Sequence, residues 1–350
     1  MKTRVISITD PLKQEKEIME AAQLIRSGEV VAFPTETVYG LGANALDSRA
    51  VGRIFEAKGR PGDNPLIIHI HDVSEWSRLA ENIPKQAYLL ADRFWPGPLT
   101  MILNKTRLVP MGVTAGLDTV GVRMPAHPVA IKLISLSRVP IAAPSANISG
   151  RPSPTLAQHV VEDMDGRIPL ILDGGRTDIG VESTVLDLTG SVPLVLRPGG
   201  VTVEMLQSIV GQVRIHPNVM KPLREGQRVR SPGMKYTHYA PNAPVTLVRG
   251  NLHRQVTYIN TEACKGEREG YRAGILATDQ TISHYQTGIR LSMGDRRQPA
   301  ELAGNLFLRL REFDGLNVDF ILAEGVDEKG EGLAVMNRIA RAAGFHIIDL

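Results

Sequence analysis

Four cationic side chains lie where a predicted helix or strand ends, and they are the groups in this sequence best placed to do chemistry. Lys58 and Arg60 lie at the C-terminal end of a predicted helix, whereas Arg123 and Arg197 each end a predicted strand that runs into a proline-containing loop. If the fold gathers them in one cleft, each close pair repels by several kcal/mol at an effective dielectric constant of about 20. Such a group needs a polyanion, and a nucleotide triphosphate with Mg²⁺ or an RNA backbone would supply one.

Hydroxyl and amide side chains also follow predicted strands. Thr35 comes directly after the strand at 30–33, Ser145 and Asn147 follow the strand at 140–143, and Ser183 and Thr184 begin another strand. Open α/β sheets bind ligands at the carboxyl ends of their strands, which favours a binding site. The same residue types are ordinary turn formers, and cations are common at helix C-termini, so a purely structural role stays open for each residue taken alone.

The motifs of several enzyme classes are absent. The sequence has no G-x-x-x-x-G-K-[ST] loop, no G-x-S-x-G elbow and no H-E-x-x-H. Its one cysteine, Cys264, excludes an internal disulfide and a multi-cysteine zinc site. The segment at 40–45 matches a dinucleotide fingerprint only in part, and His69 with His71 lack a clear third metal ligand, so we predict no metal site. This inventory favours catalysis by holding charged substrates in line, an effect worth roughly 7–11 kcal/mol, over a protein nucleophile.

The apolar patterns predict an α/β fold. Short apolar or alternating runs predict strands at 30–33, 66–71, 99–103, 118–125, 140–143, 170–173, 182–188 and 193–197. Helical spacing predicts helices at 17–27, 74–83, 85–94, 128–137, 155–164 and 203–210, and a further helix that Asp47 or Ser48 caps and Gly59 ends.

At 350 residues, the chain is long enough for two domains. We predict a catalytic α/β domain at 1–212, a linker at 213–243 and a small Rossmann-like domain at 244–350. In the last part, strands at 245–248, 273–277, 288–292, 318–322 and 345–348 alternate with helices at 299–313 and 333–343. It has no phosphate loop and no cluster of catalytic groups, so we expect it to bind or regulate. The linker is rich in proline, basic and aromatic residues. This composition favours a segment that docks on another surface over a passive tether.

The composition is ordinary for a globular protein. The net charge of +3 and a pI near 9 permit an anionic ligand or RNA without requiring either. The first 28 residues are charged and amphipathic, unlike a signal peptide, and no apolar run reaches about 18 residues. We therefore expect a cytoplasmic protein without a membrane partner.

Several segments in combination resemble the threonylcarbamoyl-AMP synthases of the YrdC type. They are P-T-E-T-V-Y-G-L-G at 34–42, K-G-R-P-G-D-N-P-L at 58–66, S-A-N at 145–147, S-T at 183–184 and R-P-G at 197–199. The segment S-P-G-M-K-Y-T-H-Y-A-P at 231–241, followed by a small α/β domain, resembles the longer two-domain members. Each motif is weak alone, but together they are specific and cover nearly the whole chain.

The resemblance implies an open, twisted α/β catalytic domain with a cationic concavity, followed by a small Rossmann-like domain. It implies the conversion of L-threonine, bicarbonate and ATP, with Mg²⁺, to threonylcarbamoyl-adenylate and pyrophosphate. The adenylate supplies the threonylcarbamoyl group for the tRNA adenosine beside the anticodon. The implied partners are downstream threonylcarbamoyl-transfer proteins, with tRNA as a further candidate.

The resemblance also implies roles for individual residues. Lys58 and Arg60 are the implied catalytic pair, on the phosphates, and Arg123 is the implied partner of the threonine carboxylate. The implied threonine-binding residues are Thr35, His69, Arg123 and Ser183. The implied ATP-binding residues are Lys58, Arg60, Asn64, Thr119, Ser145, Asn147, Ser153, Arg197 and Tyr236. Tyr236 would close over the nucleotide as a lid, and Thr237 departs from the pattern, which often has a basic residue there.

Two other classes of protein remain as alternatives. A double-stranded RNA-binding module would explain the cations equally well, although it does not need hydroxyls at strand ends. A dinucleotide-dependent dehydrogenase rests on Gly40 and Gly42 alone. Loss of ATP binding in Lys58→Ala would favour the enzyme over the RNA-binding module, and a titration with NAD tests the dehydrogenase.

Overall fold

The computed structural model describes residues 2–222 and 238–350. The chain forms two compact units, of which the first contains residues 2–149 and 153–219. The second contains residues 150–152, 220–222 and 238–350. Part of the predicted linker, including Tyr236 and Thr237, lies outside the described residues, so the predicted lid stays a prediction.

Among the described residues, the first unit is built on one mixed sheet of twelve strands. The strands are β1 (Arg4–Ser7), β2 (Val31–Phe33), β3 (Gly40–Asn44), β4 (Ile67–His69), β5 (Ala80–Glu81), β6 (Leu99–Lys105), β7 (Thr119–Arg123), β8 (Ile141–Ala142), β9 (Leu170–Asp173), β10 (Thr184–Asp187), β11 (Leu194–Arg197) and β12 (Arg214–Ile215). Their order is β1-β9-β2-β3-β8-β4-β7-β6-β10-β11-β12, and β5 pairs with β6.

Helices cover both faces of this sheet. They are α1 (Glu15–Arg26), α2 (Ser48–Lys58), α3 (Trp76–Leu79), α4 (Lys85–Phe94), α5 (Met111–Thr114), α6 (Pro128–Ser137), α7 (Ala157–Met164) and α8 (Val203–Val210). The alternation along β2 separates the two cores: Val31 and Phe33 pack with α1 and α6, whereas Ala32 belongs to the larger core that includes residues of α2, α4, α7 and α8. A sheet buried on both faces explains why its strands read as short apolar runs.

Several of these elements begin and end where local sequence signals predicted. Helix α2 begins after Asp47, whose Oδ1 accepts a hydrogen bond from Arg49 N at 2.9 Å, and it ends at Gly59, whose φ of +59° is left-handed. The predicted helices at 128–137 and 203–210 and the predicted strand at 170–173 have the predicted bounds. The predicted α/β class is confirmed.

The glycines of the partial dinucleotide fingerprint, Gly40 and Gly42, lie in β3. Gly42 pairs with Val31 and Gly40 with Phe33 in an antiparallel ladder, so their backbone is committed to the sheet. A Cβ at Gly42 would come within 2.7 Å of both Ile141 and Phe33, so this position needs glycine for packing. A dinucleotide fingerprint requires a strand-to-helix turn at these glycines, and the dehydrogenase reading loses its only support.

Two further differences concern helices. The predicted helix at 74–83 is a 3₁₀ turn (Val73–Glu75) followed by the short α3 and by β5. In the second unit, helix α9 (Leu252–Arg268) was not predicted at all. Its buried positions include a glutamine and a glycine, so its apolar stripe is too thin for the periodicity to be seen.

The second unit contains a five-stranded parallel sheet. Its strands are β13 (Val245–Arg249), β14 (Ala273–Ala277), β15 (Ile289–Ser292), β16 (Phe320–Glu324) and β17 (Ile347–Asp349), in the order β15-β14-β16-β13-β17. Besides α9, its helices are α10 (Pro299–Leu316) and α11 (Gly332–Ala342), and a 3₁₀ turn spans Ile282–His284. The parallel ladders confirm the predicted β–α alternation. Over residues 2–222 and 238–350, no helix has the length and apolar character that a membrane crossing demands.

Candidate functional site

The loop at 34–39, between β2 and β3, connects most of the segments that carry predicted site residues. Its backbone is hydrogen-bonded to three other loops of the first unit. The bonds run from Ile179 N to Glu36 O (2.9 Å), Gly180 N to Thr37 O (3.1 Å), Tyr39 N to Pro154 O (2.9 Å) and Ala146 N to Tyr39 O (2.8 Å). A contact made at this loop is therefore linked to the segments at 145–147, 153–155 and 179–183.

Thr35 holds this loop in shape. Its hydroxyl donates to Val38 O at 2.6 Å, lies 2.8 Å from the Thr37 hydroxyl, and is almost fully buried. It therefore acts as a turn former, the alternative that the sequence left open. A role in binding threonine is compatible with this position and stays a prediction.

Arg123 is buried beside the same loop and carries an internal counter-charge. Its Nη2 lies 2.6 Å from Glu36 Oε1, its Nη1 donates to the Thr37 hydroxyl at 3.0 Å, and its Nε donates to Gly97 O at 3.2 Å. The side chains of Arg123 and Glu36 are 5% and 7% exposed, so the pair is shielded from solvent. Because Glu36 balances this cation, the repulsion argument from sequence does not apply to Arg123.

Ser183 and Arg197 form a second buried cluster with Thr100. The Ser183 hydroxyl lies 2.8 Å from the Thr100 hydroxyl and accepts from Arg197 Nη2 at 3.2 Å, while Arg197 Nε donates to Ser183 O at 3.1 Å. This cluster adjoins Arg123 through the turn before β6, because Gly97 O accepts from Arg123 and Pro98 O accepts from Thr184 N. The structure thus brings together three predicted site residues that are up to 74 positions apart in the sequence, counted from 123 to 197.

Gly199 lets the loop that follows Arg197 approach this cluster. A Cβ at Gly199 would lie 2.4 Å from Glu182 O, 2.4 Å from Thr184 N and 2.6 Å from Ser183 C. These are backbone atoms and cannot move aside like the end of a flexible side chain. The glycine of the R-P-G motif is thus required for the close approach of two backbones.

Ser153 lies beside this cluster through Glu182. Its hydroxyl is fully buried and donates to Glu182 Oε1, and Glu182 immediately precedes Ser183. The backbone bond between Tyr39 and Pro154 links the same segment to the loop at 34–39. Ser153 is therefore held at the junction between the loop at 34–39 and the Ser183 cluster.

Lys58 ends α2 and points its ammonium at the S-A-N segment. Its Nζ donates to Ser145 O and to Asn147 O, the latter at 2.6 Å, and the residue is 2% exposed. Asn147 Oδ1 also accepts from the Ser145 hydroxyl at 2.5 Å. The structure therefore places three predicted nucleotide-side residues in one hydrogen-bonded group.

The side-chain amide of Asn64 is buried and makes no hydrogen bond within the described residues. It is 0% exposed, and neither its Oδ1 nor its Nδ2 has a hydrogen-bond partner among residues 2–222 and 238–350. Its backbone oxygen accepts from Arg60 Nη2 at 3.1 Å, which joins the two predicted residues. A buried amide without partners costs free energy, so a ligand that pairs with it is the natural explanation.

Thr119 lies apart from Arg123. It begins β7 and Arg123 ends it, which separates them by about 13 Å at 3.3 Å per residue. Thr119 lines a small recess with Pro65 and Thr100. Its assignment to the nucleotide stays a prediction.

His69 ends β4, next to Arg123 on β7 in the parallel ladder. Burial and the neighbouring Arg123 charge lower the pKa of His69 to about 3, so the imidazole is neutral at physiological pH. Its Nδ1 lies 3.2 Å from Ile67 O, which favours the tautomer that donates from Nδ1. Its neutrality avoids adding a charge beside Arg123.

Four residues of this region were missed by sequence reasoning as site members: Glu36, Thr37, Thr100 and Glu182. Glu36 and Thr37 stand in the quoted P-T-E-T segment, so the motif contained both residues, but it did not show that they contact Arg123. Thr100 lies inside a predicted strand, where a threonine is unremarkable. Its role depends on β6 and β10 being neighbours, which the sequence does not reveal.

The cations are too deeply buried for an RNA-binding surface. Lys58, Arg123 and Arg197 are 2%, 4% and 7% exposed. Binding along an RNA backbone requires a basic surface that phosphates can reach. This arrangement favours a small ligand enclosed by the domain over the double-stranded RNA-binding module.

Two protein-family models match the chain. The Sua5, YciO and YrdC model, described as telomere recombination, matches residues 23–199. The model described as threonylcarbamoyl-AMP synthase, C-terminal domain, matches residues 201–344.

Full-length relatives carry the name threonylcarbamoyl-AMP synthase. The protein from Pyrococcus abyssi is 53% identical over 99% of this chain and 100% of its own, and the protein from Bacillus subtilis is 48% identical with the same coverage. The crystal structure of P. abyssi Sua5 complexed with L-threonine superposes with a TM-score of 0.94, at 52% identity, and covers 99% of this chain and all of that one. Escherichia coli YciO matches 56% of this chain and 96% of its own at 26% identity, with a TM-score of 0.51.

The fold and its likeness to these proteins define an enzyme of the nucleotidyltransferase type, with a YrdC-like catalytic domain and a second α/β domain. Both matched regions together span residues 23–344. The chain belongs to the threonylcarbamoyl-AMP synthase family, in its two-domain form.

Proposed function

We propose that this chain is an L-threonylcarbamoyladenylate synthase, which joins L-threonine, bicarbonate and MgATP to give threonylcarbamoyl-adenylate and pyrophosphate. The observation that carries the proposal is the buried guanidinium of Arg123, which has donors left for a carboxylate and an acidic neighbour, Glu36. A guanidinium beside a carboxylate is complementary to the two charged ends of an amino acid. The full-length relatives supply independent support.

The reaction suits a site that lacks its own nucleophile. Bicarbonate takes up a proton and loses water to give CO₂. The threonine ammonium loses a proton, and the free amine attacks CO₂ and releases a second proton as the carbamate forms. A carbamate oxygen then attacks the α-phosphorus of ATP, and the bond from that phosphorus to the bridging oxygen breaks as pyrophosphate leaves. Both reactants are anions, so the protein must hold them in line and offset their charge.

On the threonine side, Arg123 binds the carboxylate. A guanidinium has five N–H donors. Two groups of the protein accept hydrogen bonds from this one, Gly97 O and the Thr37 hydroxyl, and Glu36 forms an ion pair with its Nη2. The remaining donors can bind a carboxylate in the planar geometry that arginine favours. Glu36 faces the amino end, and the hydroxyls of Thr35 and Ser183 with the neutral His69 complete the predicted set.

On the nucleotide side, Lys58 and Arg60 offset phosphate charge, and Asn64 donates and accepts hydrogen bonds through its unsatisfied amide. The further predicted contacts are Thr119, Ser145, Asn147, Ser153 and Arg197. Tyr236, proposed to close over the nucleotide, lies outside the described residues. Lys58 has a second role, because its bonds to the carbonyls at 145 and 147 fix the segment that carries two of these contacts.

We propose that Mg²⁺ enters with the phosphates of ATP. In the described part of the chain, no group of three or more histidine, cysteine or acidic side chains is placed to hold a metal ion. Magnesium in nucleotide sites is commonly held by substrate phosphates with only one or two carboxylates. When bound, it would neutralise part of the phosphate charge. The reactive adenylate would pass to threonylcarbamoyl-transfer proteins for modification of tRNA.

The product identifies the reaction. With threonine, MgATP and ¹³C-bicarbonate, mass spectrometry should detect threonylcarbamoyl-adenylate one mass unit heavier than with ordinary bicarbonate. Lys58→Ala should abolish the product, whereas Lys329→Ala, at an exposed position of the second unit, should not. Threonyl-adenylate without the labelled carbon would show an ordinary amino-acid adenylating enzyme instead.

A further inference from the structure

The second unit contains a cavity of about 430 Å³ at the carboxyl ends of two neighbouring parallel strands. Arg249 is the last residue of β13, and Gly325 and Val326 directly follow β16; all three line the cavity. The proposed synthase reaction uses no residue of this unit among those described. The volume lies within the roughly 300–1,000 Å³ typical of small-molecule sites.

The sheet topology explains why a cavity forms there. The chain leaves β13 through α9 and crosses β16 to reach β14, whereas it leaves β16 through α11 and crosses β13 to reach β17. Right-handed crossovers that start in opposite directions place their helices on opposite faces of the sheet. The loops after β13 and β16 therefore diverge, and open α/β sheets bind ligands in such a crevice.

Arg296 lines this cavity with a guanidinium that is only partly hydrogen-bonded. Its Nη2 donates to Gly325 O, but its buried Nη1 has no hydrogen-bond partner among residues 2–222 and 238–350. The carboxylate of Glu324 is 3.8 Å away, too far for a hydrogen bond. That carboxylate is fully buried and accepts from the hydroxyls of Thr278 and Tyr285. The guanidinium is thus held in place while part of it remains unsatisfied.

Asp327 presents an anionic group to the same cavity. Its Oδ1 accepts from Lys329 N at 3.1 Å, and within the described residues no ion pair of 4.0 Å or less joins it to Arg296. The other two charges of the wall are already paired. Arg249 bonds both oxygens of Asp349 at 2.7 and 2.9 Å and approaches Glu328 at 3.3 Å.

Arg296, whose recorded ion-pair partner is the buried Glu324 at 3.8 Å, and Asp327 therefore line the same cavity without pairing with each other. A simple anion would meet Asp327 and Glu328, and a simple cation would meet Arg296. A ligand that carries both charges meets a partner for each. Apolar contacts from Leu252, Val326 and Met336 are available to its side chain.

We propose that this cavity binds a free α-amino acid, with its carboxylate on Arg296 and its ammonium on Asp327. Gln255 helps to fix the wall, since it donates to Gly250 O at 2.8 Å and accepts from Gly325 N at 3.0 Å. The proposal stands on the second unit alone and is independent of the proposed synthase activity.

Equilibrium dialysis of the full chain against each proteinogenic L-amino acid other than threonine tests the proposal. At least one should bind at millimolar concentration or below with a stoichiometry of one. Threonine is treated separately because the first unit is proposed to bind it. Its binding stoichiometry would be two if it also occupies this cavity. Asp327→Asn and Arg296→Gln should each weaken the binding about tenfold or more, because each removes a charge-assisted hydrogen bond.

Arg297→Gln is the matched control, because this neighbouring arginine is highly exposed, pairs with Asp295 and does not line the cavity. Asp327→Asn leaves the buried Glu324 cluster intact, so it remains informative if Arg296→Gln fails to fold. The N-acetyl derivative and the methyl ester of the bound amino acid should each bind about tenfold more weakly. Equal binding of the N-acetyl form would show a plain anion site and overturn the proposal. The proposal would also be overturned if no amino acid bound outside the first unit, or if both cavity variants bound the amino acid as well as the wild type does.

Discussion

Arg123 and Glu36 form an ion pair inside the first unit, with Nη2 2.6 Å from Oε1 and neither side chain more than 7% exposed. The pair lies where the loop at 34–39 meets the end of β7. Because it balances the charge of the proposed carboxylate-binding arginine, the domain can fold before any substrate arrives. The substrate carboxylate then meets an existing ion pair. It either competes with Glu36 for Arg123 or binds other donors of the same guanidinium.

Glu36→Gln should destabilise the first unit by about 3–5 kcal/mol, because it leaves a buried guanidinium without its counter-charge. L-Threonine should stabilise this variant less than the wild type, since Glu36 is the proposed partner of the threonine amino group. Thermal unfolding with and without threonine measures both effects. Glu29→Gln is the control, because its pair with Arg53 is on the surface and is worth about 0–1 kcal/mol. Unfolding of Glu36→Gln at the wild-type temperature would contradict this account of the pair.

Gly199→Ala should lower stability by about 1–3 kcal/mol and strongly reduce adenylate synthesis, since its Cβ would displace the backbone that carries Ser183. Gly52→Ala is the matched control. Gly52 lies within α2, and a Cβ there meets nothing within 4 Å, so the change should stabilise by up to about 1 kcal/mol. Urea unfolding and product formation should be measured on both. Normal activity in Gly199→Ala would show that the close approach of the two backbones does not matter for the reaction.

Asn64→Leu should leave the ligand-free protein as stable as the wild type or slightly more stable. The amide makes no hydrogen bond within the described residues, so removing it takes away an unsatisfied polar group and keeps the volume. The same variant should bind ATP about tenfold or more weakly, which calorimetric titration measures. A large loss of stability with unchanged ATP affinity would assign the residue a structural role.

The buried neutral His69 should make the first unit sensitive to acid. Its pKa falls from an ordinary 6.5 to about 3 in the folded protein, so the unfolded chain takes up the proton first as the pH falls. Stability is therefore full above pH 6.5 and declines from there toward pH 3, by up to about 1.4 kcal/mol per pH unit from this group.

Urea unfolding between pH 7.5 and 5 measures this decline, followed by fluorescence of Trp76 and Trp95, which both lie in the first unit and are the only tryptophans of the chain. His69→Gln should flatten the decline, whereas His253→Gln, at an exposed position of α9, should not. An unchanged slope in His69→Gln would show that the imidazole is accessible to protons.

The sequence was sufficient for elements whose signals are local. Asp47 and Gly59 cap α2 at both ends, and the apolar run at 170–173 is a strand with the predicted bounds. The elements it missed depend on partners far along the chain. Strand β3, which is absent from the predicted strands, pairs with β2 and β8 on its two sides.

The sequence predicted which residues belong to the site, but it did not predict most of the contacts between them. The motif order identified Arg123 and Ser183 as candidates, but their junction at the turn of Gly97 and Pro98 requires the neighbouring strands β6, β7 and β10. The counter-charge of Glu36 was equally invisible, since 87 positions separate it from Arg123, counted from 36 to 123. Pairing energies of this kind depend on burial, which a sequence pattern only suggests.

Pyrophosphate release from MgATP, measured with threonine and bicarbonate each supplied or withheld, tests the central claim most directly. The account predicts release only when both are present, with other amino acids failing to replace threonine. Arg123→Lys, which keeps the charge but not the planar fork, should raise the KM for threonine more than it lowers kcat. Release that needs threonine but persists after thorough removal of CO₂ would contradict the account, because no carbamate could then be the attacking group.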